Sequence, residues 1–168
     1  IGLWTSWFIA LIAVSSIWYF IEEFGGNSPP FPGPEFEMTD RNSALPREFA
    51  GGDLKLAVDN ALKELPGLEV RRILLPRSSR SPLIIQGDLS ANLVRPRANG
   101  VYIDPSNLEV IGSYVGEELS VHTRISEAAD PLHFGYFGGL TTKIIWFILG
   151  LSMSAITFTG VVVYTKRL

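Results

Sequence analysis

The chain has 168 residues, 17 acidic and 14 basic, giving a formal charge of −3, and it contains no cysteine. No disulfide framework or thiolate metal site can therefore form, and the acidic balance argues against a nucleic-acid interface, which needs a basic footprint. The length suits one modest domain, and 46% hydrophobic residues is ordinary; their distribution is not.

No charged side chain occurs from Ile1 to Ile21 or from Ile144 to Tyr164. About 20 apolar residues in helix cross a hydrocarbon core of about 30 Å. Residues 1–21 and 144–164 are accordingly predicted as transmembrane helices. Residues 1–21 are not a cleaved leader, because the run is long and ends in Trp18-Tyr19-Phe20-Ile21-Glu22-Glu23 without a small-residue cleavage site. The sequence opens on Ile1 inside the apolar run, so a short basic segment is expected before it.

Residues 22–52 read as a linker. Gly25-Gly26-Asn27-Ser28-Pro29-Pro30-Phe31-Pro32-Gly33-Pro34 favours an extended spacer, with a Pro-rich recognition ligand as the alternative. A folded domain is expected over 53–116. Leu54, Ala57, Val58, Ala61, Leu62 and Leu65 recur at helical spacing, N-capped by Gly52 or Asp53 and stopped by Pro66-Gly67. Leu68–Leu75, Leu83–Gln86, Leu89–Val94, Val101–Ile103 and Leu108–Val115 read as strands, with Gly87-Asp88 as a turn or bulge signal and Asp104-Pro105-Ser106-Asn107 as a turn. One helix on four or five antiparallel strands is an α+β arrangement.

Residues 117–143 form a connector. Its polar part, 117–132, suits a helix near the lipid surface, and its aromatic end, Leu132–Leu140, leads into the second span. Lys166 and Arg167 follow that span in a short tail, 165–168, which the positive-inside rule places in the cytoplasm. Two spans return the N-terminus to the same side. The segment 22–143 then lies outside the cytoplasm; it carries all 17 acidic but 12 of the 14 basic residues, a formal charge of −5.

The stretch PLHFGYFGGLTTKIIWFILGLSMSAITFTGVVVYTKR resembles the PepSY-associated transmembrane family in its Leu132, His133, Gly135, Gly138 and Gly139, then Lys143, Gly150, Thr159-Gly160 and Lys166-Arg167. IGLWTSWFIALIAVSSIWYFIEE resembles the family's first helix, with Ser15-Ser16 where Thr-Gly is common. LKLAVDNALKELPGLEVRRILLP with VYIDPSNLEVIGSY is similar to a PepSY domain. The resemblance implies a bacterial inner-membrane protein with a periplasmic PepSY domain, here a short form with one PepSY unit. Some larger members resemble haem-bearing ferric-siderophore reductases.

His133 and His122 are the two histidines. His133 is read as a structural residue that hydrogen-bonds and packs the helix end against the domain, and alternatively as the ligand of a haem b; no cofactor is the leading expectation. Glu22-Glu23 and Glu117-Glu118 read as solvated boundary charges, and no catalytic constellation is expected. Ala10 and Ala13 in the first span, and Gly150, Ser154 and Thr157 in the second, are candidate helix-packing residues, Gly150 and Ser154 forming a small-xxx-small pair. Arg71, Arg72, Arg77, Arg80, Arg95 and Arg97 give the sheet region a local basic character, read as a solvated face or a partner surface. The expected partners are the lipid bilayer and a larger integral membrane complex, respiratory or transport. The expected role is that of a non-enzymatic accessory subunit, with haem electron transfer as the rival.

Overall fold

The structure, a computed structural model, describes residues 2–36, 49–78 and 80–167. The linker residues 37–48 lie outside that set. Helix α1 covers Gly2–Glu23 and α2 Gly51–Glu64; strands β1 Glu69–Leu74, β2 Leu83–Asp88, β3 Gly100–Ile103 and β4 Val110–Tyr114 follow, then α3 Val121–Phe134 and α4 Gly139–Thr165. The chain divides into two compact units: residues 29–124, and residues 1–28 with 125–168.

In the first unit the strands form an antiparallel meander in the order β1-β2-β3-β4. Alternation along the strands separates two faces. Leu83 and Ile85 of β2 and Val101 and Ile103 of β3 point at α2, where Ala57 and Ala61 receive them; all six are fully buried. Each large aliphatic side chain so buried contributes roughly 1.5–3 kcal/mol, and the two alanines let the helix approach the sheet. The Asn60 side chain donates to Leu108 O at 3.0 Å and ties the helix to the β3–β4 turn.

Two local readings of the sequence change. Asp53 is not the N-cap of α2: it sits in the first turn, and its carboxylate accepts the Ala50 N–H at 2.7 Å. Gly87-Asp88 is not a turn, and Leu89–Val94 is not a strand. Strand β2 runs through both residues, and 89–99 is a loop with a short 3₁₀ turn, Pro96–Ala98. Gly87 is required there because the β1 backbone passes close: a Cβ would lie 2.1 Å from Glu69 O. The loop is pinned by the buried Asn99, whose side-chain amide donates to Gly87 O at 3.1 Å and whose Oδ1 accepts from Gly116 N at 2.8 Å.

The other sheet face carries Ile84, Gln86, Gly100, Tyr102, Gly112 and Tyr114, set side by side by the pairings Ile84↔Tyr102, Gln86↔Gly100, Gly100↔Tyr114 and Tyr102↔Gly112. The Pro-rich segment, expected to be a free spacer, lies against this face. The Phe31 ring stacks on Tyr114 with centroids 5.1 Å apart and an interplanar angle of 17°. Burial pushes the Tyr102 phenol above its ordinary range, and the neighbouring Tyr114 hydroxyl opposes this more weakly.

In the second unit α1 and α4 are the uncharged runs. Helix α4 has 27 residues, about 40 Å of helix at 1.5 Å per residue, and none of its residues is buried by the described protein. Its apolar surface, Phe147 at 69% and Phe158 at 70% exposed, is what lipid solvates and water does not. The hydroxyls on α4 bond within the helix, Ser152 to Ile148 O, Ser154 to Gly150 O and Thr157 to Met153 O, so they do not face hydrocarbon unpaired.

Candidate functional site

Where α3 runs antiparallel to α1, three polar pairs form a ladder. Ser15 Oγ meets His133 Nδ1 at 2.8 Å, Tyr19 donates to Asp130 Oδ1 at 2.6 Å, and the Ser126 hydroxyl donates to the Glu22 carboxylate. Ser15, Tyr19 and Glu22 are spaced i, i+4, i+7, and so are Ser126, Asp130 and His133; each set makes one helix face. Ser15 lies seven residues before Glu22, about 10 Å along the helix. His133 is thus set beside the uncharged stretch of α1, where a polar ring needs a partner.

The bond fixes the chemistry of the ring. The Ser15 hydroxyl has one hydrogen and lies 3.0 Å from both Leu11 O and Ile12 O. With that hydrogen given to the helix carbonyls, Ser15 Oγ accepts from Nδ1–H, and Nε2 carries the lone pair. The Tyr19 ring packs edge-on against the imidazole at 5.4 Å. Ser15→Ala and His133→Ala in detergent-solubilised protein are each expected to destabilise the helical unit. The double variant should reveal a coupling of about 0.6 kcal/mol, the usual size of an interhelical hydrogen bond in a membrane protein. Strict additivity in thermal unfolding would refute the pairing.

The LHFGYFGG motif is a connection between helices built around Trp146. Gly135 ends α3 with φ +68°, and its Cα faces the indole: a Cβ there would lie 2.4 Å from Trp146 Cγ. The indole N–H donates to Leu132 O at 3.0 Å. Phe8 and Phe137 meet the same ring edge-on at 5.6 and 5.2 Å. Thr142 donates to Gly135 O at 2.6 Å, and its oxygen accepts from Gly138 N at 3.0 Å. Gly139 opens α4 with φ +66°. Leu132 therefore contributes its carbonyl, Gly135 and Gly139 their backbone conformation, and Gly138 its N–H; Lys143 is exposed on α4.

The structure departs from several sequence expectations here. His133 bonds to α1. Glu22 is not a freely solvated charge, since it accepts from Ser126. The polar connector forms a helix as expected, α3, and that helix pairs with α1 over residues 126–133. Ala10 lines a groove of about 570 Å³ between α1 and α3, with Val14, Trp18, Ala128, Ala129 and Leu132. Ala13 is exposed. Gly150, Ser154 and Thr157 line a second groove, about 690 Å³, with Phe8 and Ile12; a Cβ on Gly150 would meet nothing within 4 Å, so no close approach among the described residues requires that glycine. Of the basic residues of the sheet region, Arg71 is paired with Asp88 at 2.7 Å and Glu69 at 3.0 Å, which raises its pKa, and Arg97 lies over the Phe31 ring.

Ser15, Tyr19, Glu22, Ser126 and Asp130 were not picked out by sequence as a set. Their helical spacing was visible, but which face met which was not. As a donor set for haem the ladder offers one axial ligand, His133, since His122 stands eleven residues earlier on α3, about 16 Å along the axis. Among the described residues no three His, Asp or Glu side chains converge as a metal site.

An α+β domain inserted between two long apolar helices, with a polar ladder at the first and a glycine-rich connection at the second, defines a membrane-anchored domain protein. The family model for the PepSY-associated TM region matches residues 1–167, and the chain belongs to that family, as its LHFGYFGG motif suggested. Among curated proteins none matches the chain.

Proposed function

We propose that this protein is an accessory subunit, without catalysis of its own, that presents its PepSY domain on the periplasmic side of a bacterial inner membrane to a larger respiratory or transport complex. The observation that carries the reading is the α4 face at Gly150, Ser154 and Thr157: an unfilled groove whose glycine leaves room for a neighbouring helix. Small residues on a lipid-exposed helix let another helix approach closely. Lys166 and Arg167 after α4 favour a cytoplasmic C-terminus. Gentle detergent extraction from native membranes followed by sizing is expected to give an assembly much larger than the 18.5 kDa chain. A lone monomer at native abundance overturns the reading.

One observation favours a second reading, haem electron transfer. Ser15 Oγ lies 2.8 Å from His133 Nδ1; in the tautomer that carries its proton on Nδ1, Nε2 keeps a lone pair for a ligand. A b-type haem would supply one-electron redox chemistry, and His133 would be the residue of this chain to hold it. Protein purified from haem-replete cells would then show a Soret band that His133→Ala removes; a colourless preparation ends this reading.

A further inference from the structure

The face of the sheet opposite α2 is built to receive an extended proline-containing segment, and the chain supplies one. The Tyr114 ring lies across Gly100, which must be glycine because a Cβ there would lie 2.6 Å from the Tyr114 hydroxyl, and the Tyr102 ring lies beside Gly112. Tyr114 is fixed in this pose: its hydroxyl accepts from the Gln86 amide at 2.7 Å and donates to Arg97 O at 3.1 Å. Tyr102 and Tyr114 are both buried, with centroids 5.3 Å apart.

Onto this face lies Pro29–Pro34, which has no helix or turn of its own. Phe31 stacks on Tyr114, and the Arg97 guanidinium sits 5.9 Å from the Phe31 centroid. Gly33 passes so close to Tyr102 that a Cβ on it would lie 3.0 Å from the hydroxyl, and a Cβ on Gly112 would touch Pro34 Cδ at 3.5 Å. Phe31 and Pro34 are half-buried while Pro32 and Gly33 are exposed. Phe31 and Pro34, three residues apart, thus share the side turned to the sheet, a spacing that an extended polyproline-like segment supplies. Aromatic troughs recognise such segments because proline has little conformational entropy left to lose.

We propose that this face is a peptide-binding groove for an extended segment with an aromatic residue between prolines, and that Pro29–Pro34 is its resident intramolecular ligand. The groove's partner is a protein segment of the same chemistry that takes the place of the resident one. The proposal deepens the accessory reading above and rests on it for the partner's existence, but the groove's selectivity can be tested without any partner. A tethered segment acts at an effective concentration in the millimolar range, so the wild-type groove is closed to weak competitors.

The test uses the full chain in detergent micelles and a fluorescent peptide of sequence Asn27–Phe36, read by polarisation. The wild-type chain is expected to bind it at least tenfold more weakly than the variant Phe31→Ala/Pro34→Ala, whose resident segment is loosened. The same peptide carrying Phe31→Ala should bind that variant at least tenfold more weakly than the unaltered peptide. This second arm changes only the probe, and the near-ultraviolet circular dichroism of the variant, expected to match the wild type, establishes that its sheet is folded. Tyr114→Phe, which keeps the ring, should retain binding in the loosened background. No gain on loosening the resident segment overturns the proposal, and so does equal binding of the two peptides. A wild-type dimer that Phe31→Ala dissociates also overturns it, by assigning the groove to the resident segment of a second copy. Failure in these arms leaves the extraction experiment to judge the accessory reading separately.

Discussion

Gly135→Ala is expected to destabilise the helical unit by roughly 2–5 kcal/mol. About 1–2 kcal/mol of this is the left-handed strain of a residue with a Cβ, here at φ +68°. A further 1–3 kcal/mol or so is overpacking, because the new methyl would lie 2.4 Å from Trp146 Cγ and 2.6 Å from Cδ2. The indole cannot easily yield. Its N–H is bonded to Leu132 O, and Phe8, Phe137 and Trp7 crowd its edges at 5.6, 5.2 and 6.3 Å. Gly139→Ala is the matched control, since that residue has φ +66° but open space where the Cβ would go. It should cost the strain alone, about 1–2 kcal/mol. Thermal unfolding in micelles followed by tryptophan fluorescence separates the two. Equal losses would mean that the Gly135–Trp146 contact does not hold α3 to α4.

The spans, α2 and most of the sheet were legible because each depends on local pattern: absence of charge, helical recurrence of Leu54, Ala57 and Ala61, and apolar alternation closed by Pro and Asn. What escaped was set by neighbours distant in sequence. Gly87-Asp88 has the composition of a turn, yet its glycine answers to the Glu69 carbonyl on another strand. Leu89–Val94 has the residues of a strand but cannot pair back on the strand it follows, because β2 is already paired on both sides by β1 and β3. On α1, Ser15 looks like any serine in an apolar helix, able to bond its own carbonyls, and it does; only the approach of α3 turns it into a partner for His133. The Pro-rich segment reads as a spacer by composition. Its seat is invisible in one strand at a time, because the aromatic face appears only when Gly100 and Tyr102 of β3 stand beside Gly112 and Tyr114 of β4. Helix faces and strand faces can be listed from sequence, whereas the pairing of one face with another is a tertiary fact.

That distinction makes Gly87→Ala the sharpest test of the domain. The methyl would lie 2.1 Å from Glu69 O, 2.7 Å from Glu69 C and 3.0 Å from Val70 Cα, all backbone atoms of β1 that no rotamer change can move. Relief requires β1 to part from β2 at the bulge between Val70 and Arg72. Moving Gly87 also strains its two links to Asn99, the backbone N–H to Asn99 O at 3.3 Å and the carbonyl to the Asn99 amide. Overpacking costs about 1–3 kcal/mol, occasionally more, and a buried polar group left unpaired about 1–3 kcal/mol, so a loss of roughly 3–5 kcal/mol is expected. Gly112→Ala, on the same sheet, places its methyl 3.5 Å from Pro34 Cδ and 3.8 Å from Tyr102 Cδ2, ordinary contact distances. It should shift stability by no more than about 0.5 kcal/mol, as substitutions that disturb no packing usually do. Urea unfolding of the full chain in micelles, read by the near-ultraviolet circular dichroism of Tyr102 and Tyr114, reports on this sheet. A Gly87→Ala variant no less stable than Gly112→Ala would show that β1 does not pass where the β1–β2 register puts it.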